Sequence, residues 1–345
     1  MARVTVANIN QVAQMAGVST ATVSRALSGH GGVSPKRAER VRVAAEALGY
    51  VPSNAASALA SGRSMSIGVV TPSLKTWYYA AVLDGIQQRL TGVGFDLVLY
   101  CVDDDEVHRE KIFKNLLPRQ RIDGVINITV PFTAEELANF EHLGKPVVSM
   151  GRDIEHLNTI CIDDFEAGAL ATEHLISLGH RAIGHIGANT ISELDITQPN
   201  LRTSAYQKTM AKHALTIVPG WVKISDFTME GGYNSAMAIL SGEAPRPTAI
   251  FASSDEMAFG VLNAANTLGL SVPGDLSVVG IDNHPLSHFY KLTTIAQDAE
   301  AQGDRCAELL LDVLAAKSES QQNLPTHETW PVRLIERQST GGITP

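Results

Sequence analysis

From Ser66 onward, short apolar runs of strand length alternate with longer amphipathic stretches. That alternation restricts the fold more than any other feature of the chain, because it calls for parallel strands joined by helical crossovers and therefore for α/β layers. Strands are expected at 66–71, 95–101, 124–128, 146–150, 182–186, 221–224, 249–252 and 277–280. Helices are expected at 79–91, 107–117, 165–178 and 202–214, with others beginning near Gly231, Asp255 and Gln302. Two doubly wound lobes fit this count. The residues before Ser66 show helical periodicity alone, so they form a separate, all-helical piece. With 345 residues, 44% hydrophobic and 18% charged, the chain can bury a small core and a larger one.

Residues 10–27 within that first piece describe two short helices around a glycine corner. Ile9, Val12, Ala13 and Ala16 recur at helical spacing, Gly17 permits the tight turn, and Val18, Val23 and Leu27 form the apolar side of the second helix. Ser19 is placed to cap that helix. Thr20, Ala21, Thr22, Ser24 and Arg25 then lie on or near its outward N-terminal face. In a helix-turn-helix, this face meets base edges and phosphates in the major groove. A third helix follows, with Ser34 at its N-cap, Pro35 in its first position and Gly49 after its end. Ala38, Val41, Ala45 and Leu48 are expected to pack on the hairpin, leaving Lys36, Arg37, Arg40 and Arg42 nearer solvent or phosphate.

Charge divides the chain at the same place. Residues 1–64 hold seven Lys or Arg against two acids, a net +5, so the remainder of a chain of −9 carries −14. A basic head can neutralise phosphates, while an acidic body discourages indiscriminate adhesion to nucleic acid. There is no apolar run of about eighteen residues and no signal-like start at Met1, so a soluble, cytoplasmic chain with no membrane partner is expected. Cys101, Cys161 and Cys306 are scattered and odd in number, as expected of reduced packing residues.

The string Val-Ala-Gln-Met-Ala-Gly-Val-Ser-Thr-Ala-Thr-Val-Ser-Arg-Ala-Leu, beginning at Val12, closely resembles the headpiece of the lactose-repressor (LacI/GalR) family of transcription regulators. The resemblance continues through the third helix and into residues 51–63, which are similar to the family's hinge helix. It implies that this hinge orders on operator DNA, with Leu59 as a minor-groove wedge and Asn54 as a further DNA contact. Many relatives carry arginine where this chain has Ser57, which weakens the expected phosphate contact there. The body resembles the family's periplasmic-binding-protein-like core, through segments such as residues 67–72, 163–169, 178–181, 254–260, 276–283 and 292–295. The expected domains are therefore a headpiece at 1–51, a hinge at 52–63 and an effector-binding and dimerisation core at 64–340.

Such folds bind ligands between lobes, at the C-terminal ends of strands. Ser73, Trp77, Tyr78 and Tyr79 follow the first strand, where relatives commonly have Asn-Pro-Phe-Phe; here Trp77 replaces the proline and two tyrosines the phenylalanines. Arg202 matches a pocket arginine that opens the family's Arg-Leu-x-Gly-Phe segment, with Ala205 replacing its glycine. Asp282 occupies the ligand-carboxylate position, Ser254 and Asp255 the loop one unit earlier, Phe227 an aromatic wall, and Asn127 another strand end. Asp255 also has the alternative of capping the helix it opens. Aromatics, an arginine and carboxylates together suit a carbohydrate, with Trp77 suggesting a glycoside larger than one ring; a purine is the alternative effector.

No Gly-rich phosphate loop follows the first strand and no Gly-x-Ser-x-Gly elbow occurs, so neither a nucleotide cofactor nor hydrolytic catalysis is expected. Asp282, His284 and His288 are metal-ligand types, but Pro285 interrupts any helix that would present the two histidines together, and no metal site is expected. A solute-binding protein for transport would share the core, but the attached headpiece and the absent export signal oppose it. The expectation is a homodimeric repressor on a palindromic operator, controlled through the core by a small molecule acting as inducer or corepressor. Lacking a C-terminal leucine heptad, the chain is not expected to form tetramers.

Overall fold

The computed structural model describes residues 7–27, 32–50, 64–102, 105–119, 122–151, 154–188, 199–318 and 325–343. The expected hinge, with Asn54, Ser57 and Leu59, lies outside the described residues. The chain divides into two compact units, one of residues 1–66 with 121–123 and the other of the remainder.

The first unit holds α1 (Ile9–Ala16), α2 (Thr20–Leu27) and α3 (Pro35–Leu48). Asn8 and Gln11 open α1 with a reciprocal capping box, and Gly17 closes it at φ 63. Val12, Val23 and Val41 are completely buried at the centre, with Ala13, Ala16, Ala44 and Ala45 around them. Each valine contributes on the order of 2 kcal/mol of burial, and the alanines allow the close crossings that so small a core requires. Two expectations change here. Ala44 takes the buried place expected of Ala38, which is only half-buried. Ser34 has the extended backbone of an N-cap but its side chain accepts no cap hydrogen bond, so Pro35 alone marks the start of α3.

The second unit contains two six-stranded sheets. The strands are β1 (Ser66–Thr71), β2 (Asp96–Cys101), β3 (Gly124–Ile128), β4 (Val147–Met150), β5 (Asn158–Ile162), β6 (Ile183–Ala188), β7 (Val222–Ser225), β8 (Ala249–Ala252), β9 (Ser277–Asp282), β10 (Thr293–Ala296), β11 (His327–Trp330) and β12 (Arg333–Ile335). One sheet has the order β11-β5-β4-β3-β1-β2 and the other β12-β10-β9-β8-β6-β7. Parallel pairs such as β1 with β3 and β8 with β9 carry the ladders, and β12 alone among the described pairs runs antiparallel, to β10. Both sheets are covered by helices, which is why their central strands are apolar throughout rather than alternating.

The main helices are α4 (Trp77–Gly92), α5 (Glu106–Glu110), α6 (Ala134–His142), α7 (Asp164–Ser177), α8 (Pro199–Lys212), α9 (Met229–Leu240), α10 (Asp255–Thr267), α11 (Leu286–Phe289) and α12 (Ala299–Ser318). α4 lies directly on α12: a Cβ at Gly85 would fall on the carbonyl of Glu300, and one at Gly303 on that of Val82. The regular helix expected over 107–117 instead passes from α5 into a π-helical segment, Lys111–Leu116. There Phe113 packs against Phe132 and Phe140, while Arg109 donates to Glu136 at 2.8 Å and to the Pro131 carbonyl. The π segment coincides with this tertiary anchoring. No described helix is long and apolar enough to cross a membrane.

Candidate functional site

The outward face of α2 forms as its sequence dictates. The Ser19 hydroxyl accepts the Thr22 N–H at 3.2 Å and lies 2.9 Å from the Thr22 hydroxyl, holding the first turn. Thr20, Ala21 and Arg25 are exposed, whereas Thr22 and Ser24 are half-buried. The Arg25 Nε donates to the Ala21 carbonyl at 3.2 Å, which lays the guanidinium along its own helix. Arg40 is exposed, as expected, and makes one contact that was not foreseen. It donates to the Ala16 carbonyl and so satisfies the C-terminal end of α1, where a positive charge is favourable.

In the second unit, the strand ends bring together Tyr78, Asp164, Arg202, Asp282 and Gln297. Arg202 is the centre. Its Nε donates to Asp164 Oδ1 at 2.7 Å and another of its nitrogens to the Ser253 carbonyl. Burial alone would weaken its charge, but Asp164 and Asp282 outweigh that and hold the guanidinium firmly protonated. Burial pushes the Tyr78 phenol well above its ordinary range, and Tyr79, Asp164 and Asp282 push it the same way, so it is a neutral hydroxyl donor. Asp282 is raised chiefly by burial and lowered by Arg202; it accepts from the Gln297 amide and from the Asp255 N–H. The Ser253 hydroxyl is buried in this cluster without a partner among the described residues. Neutral donors, a fixed cation and half-satisfied carboxylates can recognise a small polar molecule through several converging hydrogen bonds.

Backbone strain singles out two of these loops. Asp282 has φ 130 and Phe227 φ 63, conformations that cost a side-chain-bearing residue on the order of 1–3 kcal/mol and persist where a surrounding structure enforces them. The close approach that sets Arg202 comes from Gly168 on α7, whose added Cβ would meet the Arg202 carbonyl at 2.8 Å and the Ala205 Cβ at 3.0 Å. The glycine expected at position 205 is thus supplied by the facing helix.

The other expected residues have contacts of their own. Asp255 is fully buried and accepts from the His284 N–H at 2.9 Å, the Ser287 hydroxyl at 2.6 Å and the Thr294 hydroxyl at 2.6 Å. It neither caps α10 nor has an oxygen to spare; burial and Asp282 raise its pKa. Ser254 is the cap, accepting the Met257 N–H at 3.2 Å. The Ser73 hydroxyl accepts the Lys75 N–H within its own turn. Asn127 is fully buried and donates to the Val130 carbonyl at 2.9 Å and Ser149 at 3.1 Å. Tyr79 receives a 3.4 Å hydrogen bond from Thr129 and stands edge-on to Tyr78. The half-buried Trp77 has its ring 4.8 Å from that of His284. Phe227 packs on the core beside β6 and β8.

Asp164, Ser253 and Gln297 were not foreseen. Asp164 lies inside a segment that already resembled the family, and Gln297 directly follows a strand; nothing in the residue types marked either one.

Comparison with known proteins agrees with these two parts of the chain. Residues 8–53 match the family described as bacterial regulatory proteins, lacI family, and residues 172–340 match the periplasmic binding protein-like domain. The HTH-type transcriptional repressor PurR of Pasteurella multocida (strain Pm70) is 34% identical over 332 residues, spanning 95% of this chain and 98% of the relative. The lac repressor dimer bound to operator and the anti-inducer ONPF superposes with a TM-score of 0.83 at 28% identity, covering 98% of this chain and 100% of that one. The complex of the transcriptional regulator CelR with cellobiose superposes with a TM-score of 0.70 at 27% identity, covering 96% and 99%. The chain belongs to the lacI family of bacterial regulatory proteins and is a DNA-binding transcriptional regulator of that family.

Proposed function

We propose that this protein is a repressor that binds a two-fold symmetric operator as a homodimer and is switched by a purine-class base held between Tyr78, Arg202, Asp282 and Phe227. The observation that carries the ligand site is the buried cluster itself: Arg202 and Asp282 face one another beside the neutral Tyr78 hydroxyl, on strained and tightly packed backbone. A purine presents ring nitrogens and exocyclic groups that alternate as donors and acceptors along one edge. A carboxylate, a guanidinium and a phenol can pair with such an edge, and Tyr78 and Phe227 supply aromatic faces. The PurR repressor similar over nearly the whole chain supports this class.

A sugar is the second reading. Asp164 and Asp282 accept hydroxyl donors well, and the CelR structure of the same fold holds cellobiose. Thr20, Ala21 and Arg25 are the residues proposed to contact the operator bases, with Thr22 and Ser24 beside them.

The test is binding of the full-length protein to labelled DNA from its own upstream region, titrated with salt and repeated with guanine, hypoxanthine, ribose and cellobiose. Tightening by a purine, together with a steep salt dependence, supports the proposal. Release by a sugar with no response to purines transfers the site to the second reading. Unresponsive binding at a protected operator overturns the effector assignment while leaving the DNA-binding part intact.

A further inference from the structure

The first turn of α4 has no cap of its own. Thr76 occupies the N-cap position with extended backbone, yet its side chain makes no cap hydrogen bond and its hydroxyl is buried without a partner among the described residues. There is no acid in the first turn. The Trp77 N–H is instead accepted by Glu256 Oε2 at 3.2 Å. Glu256 lies in the first turn of α10, against the other sheet and 179 positions away in the chain. A carboxylate at a helix N-terminus satisfies a stranded donor and complements the helix dipole. Here it comes from the opposite lobe.

The Trp77 side chain makes a second bridge between the same lobes. Its indole lies 4.8 Å from the His284 ring, with the two planes inclined by 53°. His284 is held rigidly for this contact: its Nδ1 accepts the Leu286 N–H at 2.9 Å, its own N–H donates to Asp255, and the edge of Phe259 packs against it at 5.3 Å. Because Nδ1 accepts, the proton of the neutral ring sits on Nε2. Tyr78, which follows Trp77 directly, carries one of the hydroxyls of the Arg202–Asp282 cluster.

We propose that Glu256 and His284 of one lobe clasp Trp77 of the other, and that this clasp shuts the mouth of the ligand cleft. As a device for controlling ligand entry and release, it rests on the assignment of the Tyr78–Arg202–Asp282 cluster as the effector site. Two chemically distinct interactions, a cap on the backbone and a ring contact on the side chain, meet in one residue. Proline at this position would abolish both, since it carries neither the N–H nor the ring. The first position of a helix tolerates proline well, so the exchange tests the clasp without breaking α4.

The experiment uses the full chain labelled with 5-fluorotryptophan, whose three tryptophans give three fluorine resonances. The Trp77 resonance is assigned by its loss in Trp77→Phe. Trp221, buried with its indole donating to the Pro245 carbonyl at 2.8 Å, serves as an internal monitor of folding. Glu256→Ala and His284→Ala are each expected to move the Trp77 resonance toward that of solvent-exposed fluorotryptophan while leaving Trp221 unmoved. Glu256→Gln, which retains an acceptor oxygen, is expected to stay near the parent position. Where guanine or ribose binds the parent protein, its dissociation from Glu256→Ala is expected to be roughly five-fold faster, the factor expected for one lost hydrogen bond, and from Trp77→Pro, which loses both contacts, faster still. A Trp77 resonance unchanged in both alanine variants, with Trp221 also unchanged, overturns the clasp. Movement of Trp77 with neither guanine nor ribose bound supports the clasp and overturns the ligand classes proposed above.

Discussion

Replacing Arg202 by methionine keeps the length and apolar stem of the side chain and deletes its charge. The partners cannot follow it into solvent, because the Arg202 and Asp164 side chains are only 12% and 10% exposed. Removing one member of a buried ion pair while leaving the other costs about 3–5 kcal/mol. In a unit of this size each kcal/mol lowers the melting temperature by roughly 2–4 °C, so a fall on the order of 10 °C is expected. Asp282 gives the loss a particular pH dependence. Its folded pKa is already raised by burial and is held down in part by Arg202. A carboxyl with a raised folded pKa binds its proton more tightly in the folded state, so its destabilising effect is present above that pKa and is relieved as pH falls through it. Without Arg202 the raised pKa climbs further, and Asp164 is left facing the same vacancy. The deficit of Arg202→Met relative to the parent should therefore be largest near about pH 8 and shrink toward about pH 5, below the raised pKa of Asp282. Calorimetric melts of both proteins across that range measure this directly. A fall of under about 3 °C, or a deficit that does not change with pH, would refute the placement of Arg202 as the counter-charge of a closed acidic cluster. Arg202→Met combined with Asp164→Asn should recover part of the loss, since one stranded charge is then gone.

Arg40→Ala should lower the stability of the headpiece, measured by amide exchange in α1, because the Ala16 carbonyl loses its donor; an unchanged exchange rate together with a reduced salt slope on DNA would instead make Arg40 a phosphate contact. Ser19→Ala removes the cap of α2 and should cost the headpiece about 1 kcal/mol, with operator affinity falling in step. His185 is fully buried between Tyr206 and Phe251, with burial holding its pKa down to about 4. Its neutral form is the folded form, so the stability it contributes is complete above about pH 6.5 and lost as pH falls toward 4, about 3 kcal/mol in all. Carbon-13 resonances of the histidine rings check this, and a His185 ring that titrates near pH 6.5 in the folded protein would contradict it.

The sequence made the layers legible because their causes are local. An apolar run such as Ile67–Val70, fully buried in β1, cannot sit at a surface, and a proline in the first position of a helix with a glycine after its end, as at Pro35 and Gly49, fixes both ends. β5 and β11 escaped notice because Asn158–Ile162 is short and polar-flanked and His327–Trp330 alternates with exposed residues, and β10 and β12 because they hold only four and three residues; pairing with neighbours, β5 with β4 and β11, and β10 with β9 and β12, makes them strands. The site divides in the same way. Arg202 and Asp282 were legible because each carries a charge at a strand end or helix start within a segment that resembles a known family. Asp255 was misjudged because its residue type and position suit a cap or a ligand equally, and only the arrival of His284, Ser287 and Thr294 from distant segments uses up its oxygens. Arg40 is exposed as its helical position implies, but its contact was not legible: a long side chain can lie across a neighbouring helix end that its own helix does not reveal.

The connection between the lobes gives the buried cluster its significance. Among the described residues the chain passes from one sheet to the other between β5 and α7, between β10 and α12, and between β11 and β12. Asp164, which holds Arg202, is the first residue of α7, directly after the first of these crossings. Gln297, which holds Asp282, lies within the second, and its carbonyl accepts from Gln302 in α12. The two charges of the cluster therefore hang from segments that cross between the lobes. On the proposed function, a molecule that competes for Arg202 or Asp282 acts on contacts at a crossing. Its differential fit to two lobe arrangements then becomes a difference in energy between them, which is the requirement for a binding event at the cleft to be felt elsewhere in the chain. A pocket built only from loop residues, with its charges satisfied locally as those of Asp255 are, would bind without transmitting.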